Sequence, residues 1–191
     1  MSGIKVRRIT QEHDLAKPNT VKSILNDICR NPGTSVLASL PCTSWCQWQV
    51  VNLRKYGDEY RAKLKEQQTQ SKHLLRQFII IAEVALKQGG EISFEWPDSS
   101  LGWLMPELVQ FQNKWNLHSA TVHSCACGLT DSKGRPMHKR WRIITSCERL
   151  AVSLNMIRCD GTHKHVRVAG KETKPTQSYP LPLCRTYLSS L

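Results

Sequence analysis

Apolar residues recur along this chain at two spacings, one helical and one strand-like. In "NTVKSILNDICR", Val21, Ile24, Leu25 and Ile28 line one helical face, with Asn19 or Thr20 as N-cap. A longer helical pattern runs from Tyr56 to Lys87. Its second half carries Leu75, Phe78, Ile79, Ala82 and Leu86 on one side, and Gly89-Gly90 supplies the stop. "LMPELVQFQNKW" predicts a short helix with Pro106 in its first turn, and "CERLAVSLN" predicts another. Short β-type runs separate these segments: "KVRRIT", "SVLASL", "EISFEWP", "SATVHSCACGL" and "KRWRIITS". From Cys159 onward the chain is rich in His, Lys, Thr and Pro and reads as irregular.

Strands alternating with helices predict an α/β fold with a largely parallel sheet and helices on both faces. The expected organisation is an α/β domain over residues 1–150 and a C-terminal extension over 151–191. In such sheets functional side chains gather just past the carboxyl ends of the strands. Cys42, Glu95 and the loop before Arg140 all fall near expected strand ends.

Composition narrows the class. A length of 191 residues with 40% apolar content suits a globular domain able to bury a core. No apolar run is long enough for a membrane span, and the N-terminal "MSGIKVRRITQEHD" has no apolar leader segment. An intracellular location, nuclear or cytoplasmic, is therefore expected. The eight cysteines are irregularly spaced, which fits reduced thiols better than a disulfide framework. A net charge of +12 points to a polyanionic partner, most simply nucleic acid and DNA first.

Three features carry candidate chemistry. Cys42 follows a short strand and Pro41, where a thiol can serve as a nucleophile or simply fill the core. Glu95 lies between Phe94 and Trp96 at another strand end, where desolvation would raise its pKa and keep a proton available. Arg140 and Arg142 lie two apart on one strand face, a spacing that can grip a phosphate, a carboxylate or a base edge.

The order of these elements resembles the cytosine-5 DNA methyltransferase family: Pro-Cys after a strand, Glu after the next strand, then "GRPMHKRWRIIT". That resemblance covers roughly residues 10 to 146. It implies a Rossmann-like, methyltransferase-type sheet, truncated at its N-terminus. It implies Cys42 as the nucleophile adding to cytosine C6, Glu95 as the partner of N3, Arg142 as the base clamp and Arg140 as a loop support. The base would be flipped from its stack. S-adenosylmethionine would be the methyl donor, with Asp14 and Leu15 near its adenine and Pro41 beside it. The chain departs from the family in having no Gly-rich cofactor loop, Glu-Trp-Pro in place of Glu-Asn-Val, and Met137 or His138 where the family has glutamine. Only about 45 residues follow the arginine strand, too few for a separate target-recognition domain. The chain also resembles short reading frames of eukaryotic mobile-element polyproteins, which implies as alternatives a non-catalytic nucleic-acid-binding module or a structural one.

Other residues suggest binding sites. Cys159, His163, His165 and Cys184 offer two thiolates and two imidazoles, the donor set of a closed zinc site that would staple the tail. Cys125 and Cys127, expected on one strand face near His118 and His123, are either a second metal group or packing. Trp45 and Trp48 flank the cysteine loop, where they either stack on an unpaired base or cover the sheet edge. Arg54 and Lys55 begin a basic run suited to a phosphate backbone.

Overall fold

The computed structural model describes residues 4–168, 170–173 and 175–190. In chain order the elements are α1 (Pro18–Arg30), β1 (Val36–Ser39), α2 (Trp48–Lys87), β2 (Ile92–Pro97), α3 (Pro106–Lys114) and β3 (His118–His123). They continue with β4 (Met137–His138), β5 (Arg140–Thr145), α4 (Glu148–Asn155), β6 (Val166–Arg167) and α5 (Leu181–Ser190).

The fold is mixed α/β. The main sheet has four strands in the order β1-β2-β5-β3, and β4 and β6 form a separate parallel pair. Only β1 and β2 run parallel in the main sheet; β5 is antiparallel to both neighbours. This corrects the expectation of a largely parallel sheet. The α2 crossover returns the chain to lie parallel to β1. Between β3 and β5 there are a 3-10 turn, a loop and the two-residue β4 but no crossover helix, so the chain doubles back and pairs antiparallel.

Strand alternation sorts the core into two layers. Val36, Ala38, Ile92, Phe94, Trp96 and Ile144 point to one face, where they meet Leu75, Phe78 and Ile81 of α2 and Leu108 and Phe111 of α3. Ala120, Val122, Trp141 and Ile143 point to the other, against Leu150 and Leu154 of α4 and Leu183 of α5. Helices thus cover both faces, as expected. Each fully buried side chain of this size contributes about 1.5–3 kcal/mol, so both layers are needed for stability.

Several elements differ from the sequence reading. Lys5–Thr10 forms no strand; Ile4 and Val6 are exposed and no neighbouring strand pairs with the segment. The first helix begins at Pro18 with Lys17 as its N-cap, because Pro is suited to the first helical turn. The long helix starts at Trp48 rather than Tyr56, and Gly57 (φ 66°, ψ −147°) breaks it into two pieces. The tail is not wholly irregular: β6 pairs with β4, and α5 packs Leu183 into the second core layer. Helix α4 runs across residue 150, so the expected extension joins the core of the preceding segment. Among the described residues, no helix is long and apolar enough to cross a membrane.

Gly90 shows how tightly the turn from α2 into β2 is built. A Cβ there would lie 2.0 Å from the backbone oxygen of Thr34, at the entry to β1. Backbone cannot rotate away as a side chain can. Gly90→Ala is therefore expected to destabilise the fold by about 1–3 kcal/mol in denaturant unfolding, through overpacking.

Candidate functional site

The parallel pairing of β1 and β2 sets the central geometry. Their carboxyl ends lie at the same edge of the sheet, and the register places Ser39 directly opposite Glu95. Both side chains point to the α4/α5 face. Ser39 donates a hydrogen bond to Glu95 Oε2 at 2.7 Å, and the Tyr179 hydroxyl donates to the same oxygen at 2.5 Å. Glu95 is only 5% exposed. Burial pushes its pKa above the ordinary carboxyl value, while the two hydroxyl donors and the charge of Lys139 act in the opposite direction.

Cys42 follows β1 at the same edge, at the start of a short 3-10 turn over Thr43–Trp45. Its thiol pKa is raised, first by burial and then by the negative charge of Glu95, whereas Lys139 lowers it. Lys139 itself is lowered by burial and raised by both Glu95 and Cys42. Its ammonium donates to the Thr176 carbonyl oxygen at 3.0 Å and sits 5.6 Å from the centre of the Trp141 ring. Thiol, carboxyl and amine therefore form one electrostatically coupled group. A cavity of about 200 Å³ borders Glu95, lined by Leu37, Ile143, Tyr179, Leu183 and Cys184 among others.

The arginines expected beside Cys42 are elsewhere. Trp96 pairs with Arg142 and Glu95 with Ile143, so Arg142 projects to the face opposite Glu95. Arg142 lies 4.6 Å over the Trp103 ring and donates to Ser119 Oγ at 3.1 Å. Arg140 shares that face and pairs with Asp98 at 3.0 Å. The prediction that the two arginines share one face holds, but that face belongs to the α3 layer. Lys139, in step with Trp141 and Ile143, is the cation whose charge acts on Glu95 and Cys42.

Trp45 is also placed differently from a base-stacking role. It is 9% exposed, and its indole N–H donates to Ser71 Oγ of α2 at 2.8 Å. Its ring fastens the cysteine loop to the helix. Trp48 is 60% exposed, and Arg54 and Lys55 are exposed in the first segment of α2, before the Gly57 break.

The residues expected near S-adenosylmethionine do not make a cradle for it. Asp14 lies in an exposed turn (φ 46°), where its carboxylate accepts from the Ala16 N–H at 3.2 Å and faces Lys17 Nζ at 3.7 Å. Leu15 packs against the first core layer. Pro41 is exposed in the connection after β1, and no glycine occurs between Gly33 and Gly57 to shape a phosphate or ribose loop there. These residues do not fit an adenosyl group.

A Cys/His group that could bind a metal lies just past the carboxyl end of β3, the strand at the far side of the sheet from β1. Cys125, Cys159, His163 and His165 bring their ligand atoms within 4.8 Å of one another. Cys159 Sγ is 3.6 Å from His163 Nε2 and 3.3 Å from His165 Nε2, which is itself 3.3 Å from Cys125 Sγ. Three of the four ligands expected from sequence are present. Cys184 is not among them; its thiol faces the Tyr179 carbonyl at 3.8 Å and borders the Glu95 cavity. Cys125 lies in a 3-10 turn that ends β3, which turns it away from Cys127 and out toward the loop; Cys127 is buried in the second core layer.

Comparison with protein-family models, curated proteins and solved structures finds no match for this chain.

Sequence reasoning missed Lys139 and Tyr179, and it set Cys125 apart from the Cys159, His163 and His165 group. Lys139 follows from strand alternation once the face of Trp141 is known. Tyr179 arrives from a segment 84 residues away, and no local pattern announces that contact.

The raised pKa of Glu95 has a consequence for stability. A carboxyl whose folded pKa lies above its unfolded value stabilises the fold fully below the unfolded value and loses that contribution as pH rises through the folded one. Glu95→Gln should therefore gain stability relative to the native chain as pH rises above the unfolded carboxyl value of about 4, measured as a difference of urea unfolding free energies.

Proposed function

We propose that this chain is a nucleic-acid-binding domain of the cytosine-5 methyltransferase type, which receives a pyrimidine base at the sheet edge that carries Cys42 and Glu95, within the field of Lys139. The observation that carries the reading is the coupling of thiol, buried carboxyl and ammonium at the shared carboxyl edge of β1 and β2. That edge is where α/β sheets place their chemistry. The +12 charge supplies the attraction for a polyanion.

The three groups suit thiol addition to the ring. The sulfur of Cys42 bonds to C6, the C5–C6 π electrons shift into the ring, and N3 accepts a proton. Burial raises the Glu95 pKa above the ordinary carboxyl value, which suits the group to give that proton. The thiol proton returns to the Glu95 carboxylate, so the net step adds sulfur to C6 and hydrogen to N3. Lys139 stabilises the thiolate while it forms. S-adenosylmethionine would supply a methyl cation equivalent at C5 in a complete enzyme of this type; no step is assigned to it here, because Asp14, Leu15 and Pro41 do not form its site.

A specific observation favours a second reading. The Tyr179 hydroxyl donates to Glu95 Oε2, and a binding module without chemistry would keep this contact closed.

An oligonucleotide carrying 5-azacytosine separates the two. Thiol addition predicts a covalent adduct by intact mass, absent with Cys42→Ser and formed at least about tenfold more slowly with Glu95→Gln. Binding without any adduct supports the closed module and overturns the addition step.

Exposed Arg54 and Lys55 on α2 are expected to contact phosphate. Replacing both with Ala should reduce the magnitude of the slope of log K against log salt by roughly 1.4–1.8 for DNA, measured by fluorescence anisotropy. An unchanged slope would remove this segment from the interface.

A further inference from the structure

We propose that Cys125, Cys159, His163 and His165 hold one structural zinc ion that fastens the C-terminal loop to the end of β3. This site is independent of the Cys42 pocket and of any catalytic reading. The donor set is two thiolates and two imidazoles, soft and borderline ligands of the kind zinc prefers.

The geometry agrees with the ion. Zinc binds thiolate at about 2.3 Å and imidazole at about 2.0–2.1 Å, so a tetrahedral site sets each sulfur about 3.6 Å from each nitrogen. Three of the four S···N separations here are 3.6, 3.3 and 3.3 Å, and all four ligand atoms lie within 4.8 Å of one another. Four protein ligands close the coordination sphere, which marks a structural rather than a catalytic ion.

The surroundings supply the outer contacts that ligands of this kind require. His163 turns its second ring nitrogen, Nδ1, toward Asp160 Oδ1 at 3.6 Å, the carboxylate–imidazole arrangement that orients a metal-bound histidine. The Gly161 N–H donates to Cys159 Sγ at 3.3 Å, and the Cys159 N–H donates to His123 Nδ1 at 3.2 Å. The loop between Cys159 and His165 carries no apolar side chain that could anchor it by burial. A metal bond between this loop and Cys125 provides the anchor that burial does not, and it holds β6 in register against β4.

The test is zinc content by plasma mass spectrometry, on full-length chain purified with reductant and without chelator. The expected result is about one zinc per chain, kept in Cys184→Ala and reduced to about a tenth or less in Cys125→Ala and His165→Ala. Equal loss in Cys184→Ala would overturn the ligand set. Cobalt titration of the unmutated chain guards against variants that fail to fold. A tetrahedral d–d spectrum with thiolate charge-transfer bands supports the site, and an octahedral spectrum or no uptake overturns it.

Discussion

Burying one carboxyl between the two parallel strands constrains much of this molecule. Glu95 is almost wholly withdrawn from water, and a buried acid is stable only when neutral, hydrogen-bonded or opposite a cation. Hydrogen bonds and a nearby cation are both present. Ser39 reaches it from β1, Tyr179 from the tail and the charge of Lys139 from the start of β5. These partners come from three distant parts of the chain. The β1–β2 register, the seating of the tail and the approach of β5 therefore bear on one another through a single side chain.

The cysteine loop is held by different forces. Pro41 and Cys42 leave β1 at the edge where Glu95 sits, and Trp45 pins the following turn to α2 through Ser71. The thiol is thereby placed in the field of both Glu95 and Lys139, which pull its pKa in opposite directions. Burial and Glu95 keep it neutral at rest; Lys139 lowers the cost of ionising it. That balance suits a nucleophile that becomes reactive only when a substrate changes the surroundings, and equally a thiol kept neutral by burial.

The C-terminal segment does more than cap the fold. It delivers Tyr179 to Glu95, adds Leu183 to the second core layer and carries three members of the Cys/His group. Its two attachments lie at opposite kinds of surface, one apolar and one made of metal-type donors. Residues with few apolar neighbours can be held in place this way without a larger core.

Local pattern made much of the framework legible. Helical spacing marked α1, most of α2, α3 and α4, and alternation marked β1, β2 and β5, because side-chain periodicity is a property of the segment itself. It also showed Cys42 and Glu95 near strand ends, and Cys159, His163 and His165 as a donor set. Tertiary structure decided the rest. Alternation says that Arg140 and Arg142 share a face, but only pairing with β2 decides which face, and a one-residue difference made Lys139 the cation that acts on Glu95. Parallel or antiparallel pairing of β5 depended on how the chain returned from β3. The replacement of Cys184 by Cys125 in the Cys/His group, and the meeting of Tyr179 with Glu95, depended on contacts between residues far apart in sequence. Spacing along the chain carries no information about such meetings; the path of the backbone through space determines them.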